Sequence, residues 1–189
     1  MSFIFVTGPV RSGKSRFAER LVVQTQLPVT YVATARTDRD DAEWVARLAH
    51  HAARRPPSWA LIETAVPGGP DLAEVVRHAP SSSALLVDSL GTWLADQMGR
   101  GAEPSYGADA GALEAAGERL RDAVVASAAH IVLVSEEVGW SVVPDHPSGR
   151  LFRDVLGRLN QRLAREADGA YLVVSGFALD LGLLAGEPV

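Results

Sequence analysis

The sequence predicts an α/β protein in which a mainly parallel sheet carries helices on both faces. Two observations lead to this fold class. Short strand-like apolar runs alternate with longer helix-like stretches along the chain, which is the pattern of βαβ units. The strand-like runs are also continuously apolar, as expected for strands that are covered on both sides. With 189 residues, 47% hydrophobic and 22% charged, residues 1–189 are predicted to form one domain.

The elements follow in order along the chain. Six strands are predicted, at residues 3–7, 29–33, 59–64, 84–88, 131–135 and 170–175. Helices are predicted between them, at residues 15–24, 40–53, 71–78, 90–98, 109–127 and 151–167. Glycine and proline are concentrated at residues 99–107 and 143–149, which predicts two irregular connections.

The first strand leads into a motif of the form G-x-x-x-x-G-K-[ST], followed by a helix, which is the context that a phosphate-binding loop requires. The motif consists of Gly8, Pro9, Val10, Arg11, Ser12, Gly13, Lys14 and Ser15. Its glycines allow the backbone to wrap around a polyphosphate, whose charge faces backbone N–H groups and the helix N-terminus. Lys14, the only lysine in the chain, is expected to reach the β- and γ-phosphates, and Ser15 to ligate Mg²⁺. These residues predict a P-loop NTPase.

A second candidate for the metal site ends the strand at residues 84–88. The apolar run ALLVD finishes in Asp88, the form of the strand whose acid supports Mg²⁺ on the far side of the phosphates. A plain cap at a strand end is the alternative interpretation.

The helix predicted from residue 40 has one apolar and one polar side. Asp40 and Glu43 resemble a capping box that sets its start. The apolar side consists of Trp44, Val45, Leu48 and Ala52, and the polar side of Glu43, Arg47, His50 and Arg54. His51 lies beside the apolar stripe and is the better candidate for packing. From spacing alone, His50 is a surface histidine without an assigned role.

Composition narrows the function classes. A net charge of -5 and a pI near 5.5 argue against nucleic acid as the main partner. The absence of cysteine excludes disulfides, thiolate zinc sites and a cysteine nucleophile. No run reaches the roughly 18 apolar residues of a membrane span, and the N-terminus lacks a secretory pattern. We therefore expect a cytoplasmic protein.

Six sequence blocks, taken together, resemble one enzyme family. They are TGPVRSGKSRFAE at 7–19, YVATA at 31–35, RLAHHAARRPPSW at 47–59, LLVDSLGTWL at 85–94, VSEEVGWSVVP at 134–144 and RLFRDVLGRLNQRLAREAD at 150–168. Their content and order are similar to the bifunctional adenosylcobinamide kinase / adenosylcobinamide-phosphate guanylyltransferase of cobalamin biosynthesis.

The resemblance implies a RecA-like sheet, a homotrimer and two reactions with ATP or GTP. The first phosphorylates the aminopropanol hydroxyl of adenosylcobinamide, a corrinoid. The second transfers GMP from GTP to that phosphate through a guanylyl-histidine, which gives adenosylcobinamide-GDP and pyrophosphate. Two alternatives remain: a single-function P-loop kinase, which needs no histidine nucleophile, and a nucleotide-dependent interaction module.

The same resemblance assigns residues. His50 matches the family's nucleophile, and His51, Ala52, Ala53 and Arg54, with Arg55, become candidates for holding the nucleotide. Ala33, Thr34 and Ala35 match a nucleotide-contacting turn, and Glu63 and Asp88 match acidic positions of the nucleotide site. Glu63 could equally be a solvated strand-end acid. Glu136 and Glu137 either position the corrinoid hydroxyl or a metal, or cap the following loop.

Two positions depart from the family pattern. The phosphate-binding loop contains Pro9 and Val10 where glycine and alanine are common, and proline removes one backbone donor. Gly91 stands at a predicted helix start where the family commonly has a larger residue. The fixed Gly8, Gly13, Lys14 and Ser15 predict that the loop still binds a polyphosphate.

Overall fold

The computed structural model describes residues 2–36, 42–99 and 109–184. Within its second helix, the side chains of Trp44, Arg47, Leu48, His50 and His51 also lie outside the described part. Asp40 of the predicted capping box and most of the predicted connection at 99–107 fall outside the described residues as well.

Seven strands form one sheet. They are β1 (Ser2–Gly8), β2 (Val29–Ala33), β3 (Ala60–Glu63), β4 (Ala84–Asp88), β5 (His130–Glu136), β6 (Gly169–Val174) and β7 (Phe177–Asp180). Their order is β3-β2-β4-β5-β1-β6-β7, with parallel pairing from β3 to β6 and antiparallel pairing between β6 and β7. One strand, β5, separates the strand of the phosphate-binding loop from the strand of Asp88, which is a RecA-like arrangement. The predicted fold class is confirmed.

The last strand was not predicted. β7 has four residues and follows a tight turn in which Ser175 and Gly176 have φ angles of 51° and 84°. Phe177 and Leu179 are exposed, and the apolar run of β7 has three residues, fewer than the roughly four to eight that indicate a covered strand. The six-strand prediction was therefore one strand short.

Helices lie between and after the strands. They are α1 (Lys14–Gln24), α2 (Ala42–Arg54), α3 (Leu72–Arg77), α4 (Leu90–Met98), α5 (Ala110–Ala126), α6 (Pro147–Glu166) and α7 (Leu181–Leu184). The prediction started α6 too late, because Pro147 opens the helix at a position where its missing N–H has no cost. The short α7 was not predicted. Among the helices described, none combines the length and hydropathy of a membrane-spanning segment.

The core lies on both faces of the sheet. One apolar cluster packs α3 to α6 against the sheet and includes Leu90, Leu120 and Leu156. The other packs α1 against the opposite face through Ala18 and Val22. Helices on both faces were predicted. The strands β1, β2, β4 and β5 contribute side chains to both clusters, so both of their faces are covered.

The apolar side of α2 does not join either cluster where it is described. Val45 is 38% exposed and Ala52 is also exposed. Both residues instead line the cleft described below. At these two positions the apolar side of α2 therefore lies at the cleft and not in the core.

Parallel pairing aligns the carboxyl ends of the central strands. Gly8 pairs with Glu136 across β1 and β5, and Ala33 pairs with both Glu63 and Asp88. These residues end five neighbouring strands, and one of them, Gly8, is the first glycine of the phosphate-binding loop. The sheet thus brings the predicted site residues to one edge, where α/β proteins bind ligands.

Candidate active site

A cleft of about 1250 Å³ lies at this edge, between the phosphate-binding loop, the strand ends and α2. It collects most of the residues that the sequence indicated. Those lining it are Val10, Arg11, Ser12, Gly13, Lys14, Ser15, Ala33, Ala35, Ala52, Arg54, Glu63 and Asp88. Gly8, Pro9, Thr34 and Ala53 are not among the lining residues. The side chains of His50 and His51 lie outside the described part of the chain.

The phosphate-binding loop has a backbone that only glycine allows at two points. A Cβ on Gly8 would lie 2.3 Å from the carbonyl oxygen of Val173, and Gly13 has a φ angle of 98°. The loop is closed by a bond from the Ser12 N–H to the Pro9 carbonyl, at 3.3 Å. From the β6–β7 turn, Gly176 N–H donates to the Ser12 carbonyl at 2.9 Å. The cradle is therefore preformed and supported from both sides.

One polar atom of the loop has no partner among the residues described. Ser12 is 5% exposed, and its Oγ is buried without a hydrogen bond there. A buried hydroxyl without a partner costs free energy unless a ligand or water supplies one. Since Ser12 lines the cleft, a phosphate oxygen would satisfy it.

Lys14 lies at the floor of the cleft with only 10% of its side chain exposed. Its Nζ donates to the Pro9 carbonyl at 3.4 Å and lies 3.7 Å from Glu136 Oε1. Both contacts are long for a charged donor. The ammonium is thus held in the cleft by weak partners that the oxygens of a triphosphate could replace.

Glu136 is the residue of the site that the sequence left undecided. Its carboxylate accepts from Ser89 Oγ at 2.7 Å and from the Gly91 N–H at 2.9 Å, in addition to facing Lys14. The neighbouring Glu137 contributes its backbone N–H to the Gly8 carbonyl, at 3.1 Å. Of the two adjacent acids, Glu136 is the one whose carboxylate lies in the cleft and also caps the start of α4.

Asp88 is held by a residue that the sequence analysis did not select. The Tyr31 hydroxyl donates to Asp88 Oδ2 at 2.9 Å, and the Arg55 guanidinium lies 4.4 Å from the centre of the Tyr31 ring. Burial, together with the Asp88 charge, raises the pKa of Tyr31 well above its ordinary value. Tyr31 therefore stays protonated and remains a donor to Asp88. In the sequence, the signal for Tyr31 was its position at the start of the YVATA block at residues 31–35.

Thr34 and Arg54 have partners within the protein. Thr34 is fully buried, and its hydroxyl donates to the Ser89 carbonyl at 2.6 Å, which joins the ends of β2 and β4. Arg54 donates to Glu19 Oε1 at 3.0 Å and so links α2 to α1 while still lining the cleft. Glu63, by contrast, is exposed at the cleft wall.

Residues 4–181 match the sequence family described as CobU, cobinamide kinase / cobinamide phosphate guanyltransferase. The chain belongs to the CobU family. It is 36% identical to the bifunctional adenosylcobalamin biosynthesis protein CobU of Salmonella typhimurium and 38% identical to that of Escherichia coli, each over 94% of this chain and 98% of the relative. The corresponding CobP of Pseudomonas aeruginosa is 35% identical over 97% and 98%.

Two solved structures are similar in outline to this member of the CobU family. A KaiC-like protein from Pyrococcus horikoshii has a TM-score of 0.45 at 14% identity, covering 90% of this chain and 70% of its own. The flagellar accessory protein FlaH from Methanocaldococcus jannaschii has a TM-score of 0.44 at 16% identity, covering 94% and 74%.

The structure accounts for both departures from the CobU pattern. Pro9 contributes its carbonyl, which accepts from the Ser12 N–H and from Lys14, so its missing donor leaves those bonds intact. A Cβ on Gly91 would lie 2.2 Å from Glu136 Oε2. Glycine at this position is what allows the Glu136 carboxylate to bond to the start of α4.

Proposed function

We propose that this chain catalyses two successive reactions on a corrinoid. It phosphorylates the aminopropanol hydroxyl of adenosylcobinamide with ATP or GTP, and it then transfers GMP from GTP to the new phosphate. The products of the second step are adenosylcobinamide-GDP and pyrophosphate. The observation that carries this proposal is membership of the CobU family over residues 4–181, with relatives named bifunctional that align over 98% of their length.

The phosphate-binding loop supports the kinase reaction. In that reaction the substrate oxygen attacks the γ-phosphorus, the bond to the bridging oxygen breaks, and the hydroxyl proton passes to a base. Negative charge develops on the phosphate oxygens, so catalysis depends on positioned donors and cations. Lys14, the N-terminus of α1 and the Ser12 hydroxyl, which has no hydrogen-bond partner among the described residues, would supply them.

Ser15 and Asp88 would hold the Mg²⁺ that accompanies the nucleotide. Both line the cleft, and a hydroxyl with a carboxylate is a donor set that suits this cation. The Tyr31 hydroxyl donates to the Asp88 carboxylate and so orients it, as donors to metal-binding carboxylates commonly do. When bound, Mg²⁺ would neutralise charge on the β- and γ-phosphate oxygens.

His50 is proposed as the nucleophile of the transferase reaction. An imidazole nitrogen would attack the α-phosphorus of GTP, form a P–N bond and release pyrophosphate. The phosphate oxygen of the corrinoid would then attack the same phosphorus and break the P–N bond. Two points support His50: the family resemblance implies that it stands at the nucleophile's position in the block at residues 47–59, and Ala46 and Ala49 of the same helix line the cleft.

The remaining assignments concern the nucleotide. His51, Ala52, Ala53, Arg54 and Arg55 would hold its phosphates or sugar, and Ala33 to Ala35 would contact it from the end of β2. Glu63 suits the guanine base, because an exposed carboxylate can accept from two adjacent N–H donors, which guanine presents and adenine does not. This would give the transferase step its preference for GTP.

A product assay tests the proposal. Purified protein is incubated with adenosylcobinamide, ATP, GTP and Mg²⁺, and corrinoid products are followed by mass spectrometry. We expect the phosphate first and the GDP derivative second. A product series that stops at the phosphate would leave a single-function kinase, and no corrinoid product at all would remove the whole proposal.

Two variants sharpen this assay. His50→Ala should abolish the GDP product and retain phosphorylation, since the two reactions attack different phosphorus atoms. Lys14→Ala should reduce the rates of both reactions by at least about a hundredfold, because both need a triphosphate that is held by the phosphate-binding loop. Arg20→Ala is the matched control, since Arg20 lies on the same helix as Lys14 but does not line the cleft.

The proposal also includes the oligomeric state of the protein and its location in the cell. The family resemblance suggests a homotrimer in the cytoplasm. Sedimentation equilibrium of the purified protein would test the trimer, because a monomer has a mass of 20.1 kDa.

A further inference from the structure

The loop between β5 and α6 exposes three large apolar side chains. Trp140 is 60% exposed, Val142 91% and Val143 65%. We call these three residues the loop surface. Isolated exposed apolar residues need no explanation, but a contiguous group of this kind marks a binding region. The chemistry of the site described so far does not use it.

Two arginines of α6 hold this loop by its backbone. Arg153 donates to the carbonyls of Val142 and Gly139, at 3.1 and 3.2 Å. Arg150 donates to the carbonyls of Pro144 and Asp145, at 2.9 and 2.8 Å. Four carbonyls are thereby directed towards the helix. A loop fixed in this way presents its apolar side chains without further ordering, which lowers the entropic cost of binding a ligand.

The loop surface follows closely on the strand that supplies Glu136 to the cleft. β5 ends at Glu136, which lies 3.7 Å from Lys14, and Trp140 follows four residues later. Four residues span at most about 14 Å, so Trp140 lies within that distance of Glu136, which lines the cleft. The loop is also tied to the first glycine of the phosphate-binding loop, since the Glu137 N–H donates to the Gly8 carbonyl at 3.1 Å.

Space determines what this surface can bind. The cleft of about 1250 Å³ is not much larger than the roughly 300–1,000 Å³ that a drug-sized ligand fills. A nucleoside triphosphate and the aminopropanol arm of the corrinoid would occupy it. The corrin ring, a large apolar macrocycle with amide side chains, must therefore lie outside, at the rim.

We infer that the loop surface binds the corrin macrocycle while the aminopropanol hydroxyl enters the cleft beside Lys14 and Glu136. This inference rests on the proposed function. The Trp140 indole packs against the face of the macrocycle, and Val142 and Val143 contact its methyl-bearing rim. Ser141, which is also exposed, offers a hydroxyl to the peripheral amides. The aminopropanol hydroxyl, which accepts the phosphoryl group, and the nucleotide, which donates it, then approach each other from opposite ends of the site.

Kinetics of three variants test the inference. Trp140→Ala and the double variant Val142→Ser/Val143→Ser should each raise the KM for adenosylcobinamide at least fivefold, and Trp140→Phe should restore most of the loss. The KM for the nucleotide and the labelling of the protein by GTP alone should not change, since neither involves the corrinoid. Val23→Ser and Leu183→Ala are matched controls, because both residues are exposed and lie outside the cleft.

The outcomes separate this inference from the function on which it rests. An unchanged corrinoid KM in folded variants would overturn it while wild-type activity still supported the proposed function. A changed sedimentation mass in the variants would also overturn it, because the loop surface would then be a contact between copies of the chain. If the wild-type protein produced no phosphorylated corrinoid, equilibrium dialysis with adenosylcobinamide would still decide it: Trp140→Ala must weaken binding at least fivefold.

Discussion

Glu136 is the residue at which three parts of the site meet. Its carboxylate accepts hydrogen bonds from Ser89 and from the Gly91 N–H, and it faces the ammonium of Lys14. Its side chain is 23% exposed, so these partners lie in surroundings where charged hydrogen bonds are stronger than in water. The position of this carboxylate therefore couples the start of α4 to Lys14 of the phosphate-binding loop.

Gly91→Ala tests this coupling. The new methyl group would lie 2.2 Å from Glu136 Oε2, so the carboxylate must shift and its contacts with the Gly91 N–H, Ser89 and Lys14 are disturbed. We expect phosphorylation to fall at least about tenfold, which corresponds to about 1.4 kcal/mol of transition-state stabilisation. Steady-state kinetics with both substrates would measure it.

A compensating change provides the control for this prediction. Glu136→Asp shortens the acid by one methylene and makes room for the methyl group of Gly91→Ala. The double variant should recover activity relative to Gly91→Ala alone. Full activity of Gly91→Ala by itself would show that the Glu136 carboxylate can relocate without consequence.

Tyr31→Phe tests the support of Asp88. The substitution removes the donor to Asp88 Oδ2, and a hydrogen bond to a charged group contributes about 1.5–3 kcal/mol. Because Asp88 is only half-buried and water can replace part of this bond, we expect the free energy of unfolding to fall by about 1–2 kcal/mol at pH 8. Urea denaturation would measure it.

The pH dependence provides a second observation on the same variant. The pKa of Tyr31 is raised in the folded state, so above its ordinary value of about 10 the unfolded chain releases a proton that the folded chain keeps. The wild-type protein should therefore lose stability as the pH rises past about 10, and the difference from Tyr31→Phe should shrink there. A difference that is constant from pH 8 to pH 11 would contradict this account.

At the scale of elements, the phosphate-binding loop depends on the hairpin of β6 and β7. Gly8 lies against the Val173 carbonyl, and Gly176 donates to the Ser12 carbonyl. The loop is thus packed against the C-terminal part of the chain before any nucleotide binds. β7 was not visible in the sequence pattern, but its turn contributes directly to the cradle.

Paired glycine substitutions test this packing. Gly8→Ala would place a methyl group 2.3 Å from the Val173 carbonyl oxygen, and a clash with backbone cannot be relieved by a rotamer change. We expect a loss of at least about 3 kcal/mol in the free energy of unfolding. Thermal and urea denaturation would measure it.

Gly157→Ala is the matched control. A Cβ at Gly157 meets nothing within 4 Å, and the residue lies inside α6, where alanine is favoured over glycine. This variant should gain about 0.5–1 kcal/mol. Similar effects at the two positions would mean that Gly8 is not closely packed.

The elements that could be predicted are those with local signals. β2 and β4 were predicted at the residues where they occur, because each is a continuous apolar run with clear ends. The phosphate-binding loop was recognisable because its chemistry requires fixed residues at fixed spacing. By contrast, Pro147 was predicted to lie in a loop although it opens α6, because proline is common both in loops and at the first position of a helix.

The parts of the site that could not be predicted depend on long-range contacts. The bonds of Glu136 to Ser89 and Gly91 join residues more than 40 positions apart, and so does the bond of Tyr31 to Asp88. No periodicity encodes such pairs. Similarly, the sequence predicted an apolar side of α2 but not that Val45 and Ala52 of that side line the cleft, because a helix pattern does not state what its apolar side faces.

At the scale of the whole molecule, the order of the strands brings the parts of the site together. The parallel strands β1 to β5 end at one edge, which places the phosphate-binding loop, Asp88 and Glu136 around one cleft. α2 closes its side. A cleft that is lined by the phosphate-binding loop and bordered by a helix that carries a histidine fits the two reactions of the CobU family.

The most direct test of this account is the covalent guanylylated protein. The protein is incubated with Mg²⁺ and GTP labelled at the α-phosphate, without corrinoid, and the modified peptide is sequenced by mass spectrometry. We predict one label per active site, labile to acid, stable to alkali and located on His50, with none in His50→Ala and normal labelling in His78→Ala, an exposed histidine of α3's C-terminus. Absence of the label from folded protein that binds GTP would contradict the account, and so would its location on another residue.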